Sequence, residues 1–241
     1  MCTVIVQQST DDEQRLIIGA NRDEDVLRHS GHFGWHDSGH ALHPTDVGGG
    51  TWIGVNDDGI FAALTNRDDV VHKPNRRSRG ALVRRALEAR SIVDVTYWVN
   101  WLDPSRYNGF RLIIVDRTGC HIWEGDGRSS QPALRYFPPD NTMHVITGFG
   151  VDTWHVERCK RIRDDLWAAP YANDFKRALA LHVTGKVADD VCIHDPTESH
   201  QTRSSCIITA NATWDFHVEA VNVPPCKATN WDAWDVKNVR R

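Results

Sequence analysis

The chain has 241 residues, with 28 Lys plus Arg against 32 Asp plus Glu and a formal net charge of -4. That length buries a sizeable core in a single αβ domain, and the near-balanced charge supplies no field to recruit nucleic acid or an anionic membrane. The N-terminus has no basic leader, its apolar run Val4 to Val6 is too short for a signal peptide, and no window nears the ~20 apolar residues of a membrane span, so a cytoplasmic protein that is not an integral membrane protein is expected.

Thr3 to Gln7 and Arg15 to Asn21 are β-rich runs across a polar turn, the pattern of an antiparallel hairpin. A second hairpin joins Gly50–Val55 to Ile60–Thr65 through Asn56-Asp57-Asp58-Gly59, whose Asp-Gly step suits a tight turn. Ser78 is the expected N-cap of a helix carrying Leu82, Val83, Ala86 and Leu87 on one face, and the basic stretch Arg76 to Arg85 reads as the entry and first turns of that surface helix. A short helix is expected from Val93 to Leu102, a hairpin from Phe110–Asp116 and His121–Glu124, and a strand from Met143 to Thr147. From Thr153 the period becomes helical, with Cys159, Ile162 and Leu166 on one face and Arg158, Arg161 and Asp165 elsewhere. A helix is expected again over Phe175 to Val183. Strands Cys206–Ala210 and Phe216–Val221 follow, and the Pro224-Pro225 stretch marks residues 222–241 as a loosely ordered tail. The layout is α+β, with antiparallel blocks that need helices to cover them.

Three places offer chemistry. Removal of Met1 would leave Cys2 with a thiol and a free α-amine, whose intrinsic pKa of ~7.7–8.0 lets it act as the thiol's own base. Ala20-Asn21-Arg22-Asp23-Glu24 follows the strand that pairs with the one Cys2 begins, so Arg22 and Asp23 are brought near the chain start. There a carboxylate can hold the ammonium and a guanidinium can polarise an acyl group. Asn66 stands at a strand end, where its amide can donate to an oxyanion.

With these residues the chain resembles the NRDE proteins, named for the motif Asn21-Arg22-Asp23-Glu24. The match runs in order through Met1-Cys2-Thr3, Gly49-Gly50-Thr51-Trp52-Ile53-Gly54-Val55, Ala63-Leu64-Thr65-Asn66, Ser78-Arg79-Gly80, Tyr107-Asn108-Gly109-Phe110 and Thr202-Arg203-Ser204-Ser205. The family includes the eukaryotic transport-and-Golgi-organisation protein 2 homologues and is similar to the N-terminal-nucleophile hydrolases and acyltransferases. The resemblance implies one αββα sandwich over residues 1–241, two antiparallel sheets covered by helices. A more distant similarity to penicillin V acylase and bile salt hydrolase implies Cys2 as nucleophile, Asp23 as anchor of the amine and Asn66 as oxyanion donor. Those amidases carry Arg-Asn-x-Asp where this chain has Ala20-Asn21-Arg22-Asp23, and an Asn where this chain has Gly148. Arg22 completes the expected catalytic set; Asn21, Trp52, Arg203 and Ser204 are the expected substrate contacts, Arg203 reaching the pocket from a segment that precedes a strand.

His29, His32, His36, His40 and His43 recur every three or four residues, but Gly31, Gly34 and Gly39 argue for a surface loop over a helix. The six cysteines stand apart without a C-x-x-C, so neither zinc nor a disulfide framework is expected and most read as small buried residues. The ten tryptophans, Trp35, Trp52, Trp98, Trp101, Trp123, Trp154 and Trp167 among them, read mostly as core, with some free to line a pocket. The functional expectation is a cysteine N-terminal-nucleophile amidohydrolase or acyltransferase acting on a small amide or thioester and requiring no cofactor. The alternative is a non-catalytic haem or lipid binding and trafficking protein.

Overall fold

The computed structural model describes residues 2–10, 13–128, 131–167, 171–182, 189–195 and 197–239. In chain order come strands β1 (Thr3–Gln8), β2 (Leu16–Asp25), β3 (Ser30–His36), β4 (Ala41–Asp46), β5 (Ile53–Asn56) and β6 (Phe61–Asn66), then helices α1 (Gly80–Leu87) and α2 (Ile92–Asn100). Strands β7 (Phe110–Asp116), β8 (Gly119–Gly125), β9 (Ala133–Phe137) and β10 (Met143–Thr147) lead to helices α3 (Glu157–Leu166) and α4 (Ala172–Leu179). The last strands are β11 (His200–Ala210), β12 (Phe216–Val221) and β13 (Asp232–Val236). They form a six-stranded sheet in the order β10-β1-β2-β11-β12-β13 and a seven-stranded sheet running β3 to β9 in sequence order.

Strand parity builds four layers from these two sheets. Val4, Val6, Ile18, Cys206 and Ile208 of the first sheet meet Ile53, Phe61, Ala63, Ile113 and Val115 of the second in a common inner core. The alternate residues face out. Ile5, Ile17, Val145 and Ile207 pack under Cys159 and Ile162 of α3 and Phe175 and Leu179 of α4, while Ala62, Leu64, Leu112 and Ile114 pack under α1 and α2. Both faces of each sheet are therefore apolar, and the architecture is the α+β sandwich of helix, sheet, sheet and helix. Asn56 ties two layers together, its side-chain amide donating to the carbonyls of Leu87 at the end of α1 and Ala89 just beyond it while its oxygen accepts from the Ile60 amide across the β5–β6 turn. Among the described residues no helix is long and apolar enough to cross a membrane.

Several elements depart from expectation. The histidine-rich stretch is a hairpin rather than a loop: Gly31 falls in a register irregularity between Ser30 and Phe33, Gly34 pairs with His43, and Gly39 lies in the connecting turn at φ +93. Residues 232–236, placed in a loose tail, form β13 on β12, with Val236 buried and Trp234 against the inner core beside Phe33. Strand β9 carries almost no buried side chain and so gives no apolar pattern to read. Helix α1 starts one residue later than a Ser78 cap requires, with Arg79 at its N-cap and no side-chain cap. Ser91, by contrast, caps α2 by accepting from the Asp94 amide. Helix α4 ends at Leu179, and residue 183 lies outside the described residues. Trp35, Trp101 and Trp167 are exposed, whereas Trp52, Trp98, Trp123 and Trp214 are buried.

His43 of β4 is buried, stacks on His36 at 3.9 Å and has Nδ1 3.0 Å from the Pro44 carbonyl. Burial pushes its pKa down to about 4. An unfolded histidine titrates near ~6.5, so the stabilisation is fully present above that pH and is lost as pH falls through the folded value. Urea unfolding from pH 7 down to 4 should show a loss on the order of 2–3 kcal/mol that His43→Gln removes.

Candidate functional site

The site forms where β1, β2, β6 and β10 end together. Thr3 pairs with Asn21 on one side and Thr147 on the other, so the register continued by one residue sets Cys2 beside Arg22 and Gly148. Parity then divides the motif. Cys2 shares the inner face with Val4, and Arg22 shares it with Ile18 and Ala20, while Thr3, Asn21 and Asp23 belong to the outer face beneath α3 and α4. A cavity of about 450 Å³ opens at this end, and Cys2, Arg22, Asp23, Trp52 and Asn66 are among its lining residues.

Asp23 is held from several elements. Its Oδ2 accepts from Arg158 Nη1 at 2.9 Å and its Oδ1 from the Thr202 hydroxyl at 2.7 Å, with both carboxylate and guanidinium sealed from solvent. Arg158 Nη1 also reaches the Thr3 hydroxyl at 3.3 Å. Arg158 is thus not on a solvent face of α3 but fully buried. Its i, i+4 relation to Ile162 was the sequence signal for that face. The Thr202 hydroxyl in turn accepts from the Ile193 amide at 2.8 Å, which ties the segment before β11 to the same carboxylate.

Around the thiol the field is mixed. Burial raises the Cys2 pKa above its ordinary value, Asp23 and Glu24 add to the rise and Arg22 opposes it. The neutral thiol is the resting form. The Arg22 guanidinium is buried, with Nη2 3.3 Å from Glu24 and Nη1 without a hydrogen-bond partner. Arg28 pairs with Glu24 at 2.9 Å and with Asp46, closing an acidic and basic rim. Asn66 shares the parity of Leu64 and lines both this cavity and the smaller one beside it. At Gly148 a Cβ would fall 2.0 Å from Asp68 Oδ2, so a carboxylate occupies the space a side chain would take.

The other expected contacts are placed differently. Asn21 is committed to structure, its side-chain amide donating to the carbonyls of Leu179 at 2.9 Å and Val191 at 2.8 Å, and it does not line the cavity. Thr202-Arg203-Ser204-Ser205 lies inside β11 rather than before it. Ser204 stands opposite Arg22 in the ladder, and Arg203 is the extra residue of the bulge between Thr202 and Ser204; neither lines the cavity. What sequence reasoning missed is the basic wall. Lys73, Arg76, Arg77 and Arg79, the last three from the stretch taken as a surface helix entry, face the cavity. A Cβ on Gly80 would meet the Thr51 carbonyl at 2.9 Å and one on Gly50 would meet Gly80 at 3.0 Å, so paired glycines let the start of α1 press against the entry to β5. Arg79 is thereby set at the mouth, where its Nη1 donates to the Gly109 carbonyl at 2.9 Å. Burial lowers its pKa, opposed by the charges of Glu24 and Asp68.

Residues 1–169 match the model of the Transport and Golgi organisation 2 family. The Transport and Golgi organization 2 homolog of Mus musculus is 36% identical over 110 residues, 42% of this chain and 39% of that protein, and the Bos taurus homolog matches equally. The chain therefore aligns with well under half the length of these relatives. Among solved structures, a Caenorhabditis elegans N-acylethanolamine-hydrolyzing acid amidase ortholog superposes with TM-score 0.60 at 16% identity, covering 86% of this chain and 92% of the other. Conjugated bile acid hydrolase from Clostridium perfringens, as a cysteine-to-alanine mutant, gives 0.57 at 12% identity, covering 98% and 92%. These likenesses establish the fold, an α+β sandwich shared with these hydrolases.

Replacing Arg158 with Met leaves the Asp23 carboxylate without its buried counter-charge and should cost about 3–5 kcal/mol in urea denaturation. Adding Asp23→Asn to that variant should restore much of the loss, since both buried charges are then gone.

Proposed function

The chain belongs to the Transport and Golgi organisation 2 family, and from that premise we propose a cysteine amidohydrolase or acyltransferase working through an acyl-Cys2 intermediate on a small amide or thioester. The observation that carries this reading is the convergence of the Cys2 thiol, a buried guanidinium with an unpartnered N–H and a strand-end amide on one cavity. Solved neighbours that act on acyl amides support the reaction class.

In this reading Met1 is removed and the new α-amine, with its pKa near ~7.7–8.0, takes the thiol proton. The sulfur attacks the acyl carbon, a C–S bond forms, and the oxyanion is met by Asn66 and by Arg22 Nη1. Collapse breaks the bond to the leaving amine or thiol, which takes its proton from the ammonium that Asp23 steadies. Water or an acceptor nucleophile then releases the acyl group and regenerates the thiol. The lining has six cationic side chains, Arg22, Arg28, Lys73, Arg76, Arg77 and Arg79, against three carboxylates, Asp23, Glu24 and Asp46. Since Asp23 is already matched by Arg158, the surplus favours an acyl donor that carries a carboxylate or phosphate. A flat apolar macrocycle such as haem finds few partners there, Trp52 and Leu64 being the apolar wall.

Intact mass should show Met1 removed and, after incubation with acyl amides and acyl thioesters bearing an anionic group, an acyl adduct on Cys2. Cys2→Ala should lose adduct and turnover together; undiminished turnover in that variant ends the proposal, and a saturating Soret shift on haem titration would favour the carrier instead. Turnover should rise with pH through the amine's titration. Arg76→Glu with Arg77→Glu should raise KM for the anionic donor roughly tenfold, about 1.4 kcal/mol, with kcat little changed.

A further inference from the structure

A second constellation lies on the outer side of the first sheet, away from the cavity. His182 follows α4, Cys192 and His194 lie in the irregular segment before β11, and Cys226 sits in the turn Pro225–Lys227 that leads toward β13. One ligand atom from each of these four residues falls within 4.8 Å of every other. The Cys192 and Cys226 sulfurs are 3.5 Å apart, Cys226 Sγ is 3.6 Å and Cys192 Sγ 3.9 Å from His194 Nδ1, and the His182 and His194 rings cross edge-on with centroids at 4.5 Å.

The sulfur–sulfur separation and the two sulfur–nitrogen separations are close to the edges of a coordination tetrahedron. With zinc–sulfur bonds of about 2.3 Å and zinc–nitrogen bonds of about 2.0–2.1 Å, tetrahedral geometry requires roughly 3.8 Å between two sulfurs and roughly 3.6 Å between sulfur and nitrogen. A disulfide would bring the sulfurs to about 2.05 Å. Two thiols and two imidazoles converging from three separate stretches of chain have no apolar or hydrogen-bonding explanation that requires all four. We infer that His182, Cys192, His194 and Cys226 bind one zinc ion as a closed Cys2His2 structural site. Binding converts both thiols to thiolates and releases their two protons to solvent, so the site is neutral overall, and four protein ligands leave no position for substrate. A soft sulfur and nitrogen set in tetrahedral array selects zinc over magnesium or calcium.

The placement gives the ion a purpose. The segment that carries Cys192 and His194 has little regular structure, yet its Val191 carbonyl accepts from the Asn21 amide and its Ile193 amide donates to Thr202, which holds Asp23. Zinc pins that segment to the turn before β13 and to the end of α4, and so braces the outer wall of the candidate active site. The inference stands on this cluster alone and survives if the proposed acyl chemistry fails.

The test uses the full chain, reduced and stripped of metal, titrated with Zn²⁺ alone and with Co²⁺ as a spectroscopic substitute. One equivalent should bind, cobalt should give thiolate charge-transfer bands with the intense visible absorption of a tetrahedral site, and zinc should raise Tm and slow amide exchange over residues 189–195. Cys226 is exposed, so Cys226→Ser should keep the circular dichroism of the native fold while binding at least a hundredfold more weakly; His194→Gln should do the same. Failure of the reduced wild-type protein to bind an equivalent of zinc overturns the inference, as does unchanged cobalt absorption in Cys226→Ser. Equally decisive against it is a Cys192–Cys226 disulfide, found by mass as two missing hydrogens, in freshly purified metal-free protein.

Discussion

The buried ion pair of Asp23 and Arg158 is the contact on which the site depends. Two charges sealed from water seldom add net stability, because desolvation offsets their attraction. What they fix is position. One carboxylate draws together α3 through Arg158, β11 through Thr202 and, by way of the same guanidinium nitrogen, β1 through Thr3. The last residues of β2 are held at a fixed height relative to the start of β1, and Cys2 and Arg22 inherit that geometry on the opposite face of the same sheet.

The period-2 alternation of a strand explains how one short motif serves two layers. Asn21 is spent on the outer face, closing the carbonyls of Leu179 and Val191, while Asp23 meets the charge of Arg158 there and still borders the cavity. Arg22 and Cys2 are left for the inner face, where the sheets part and the cavity opens. Conversion of any one motif residue into a functional role by adjacency alone is therefore unsafe: Asn21 neighbours the site in sequence and turns its back on it.

The hairpins around Asp57-Asp58-Gly59 and Arg117-Thr118-Gly119 were legible because turn chemistry and apolar alternation agree there. Strand β13 was not, since Asp232-Ala233-Trp234-Asp235-Val236 alternates with acidic residues after a Pro-Pro step, and only pairing with β12 reveals it. Of the site, the Cys2, Arg22, Asp23 and Asn66 neighbourhood could be read, because β1 and β2 are adjacent strands and the family motifs mark them. Arg158 escaped because a charge on a helix is read as solvated, and the basic wall escaped because its cationic run precedes α1 and looks like a surface. The Cys192 and Cys226 pairing has no short spacing to announce it and exists only once the chain has folded. The sandwich is shared with enzymes at identities of 12–16%, whereas the stretch between β6 and α1 supplies Lys73, Arg76, Arg77 and Arg79 to the cavity lining; the fold and the cavity's cationic wall reside in different segments.

The contact between Gly148 and Asp68 has a consequence for how this site can change. The strand end at 148 lies where the register places a neighbour of Cys2, and only the outer atoms of an exposed side chain fill the space beside it. Gly148 also has a backbone that any residue can adopt, unlike its neighbour Gly150 at φ +158. An amide introduced at 148 would turn a surface carboxylate out to water rather than break a core contact. The strand end is in this sense a plugged socket: the stopper is the tip of one flexible surface side chain, so a polar group could be set beside the thiol by moving Asp68 without rebuilding either sheet.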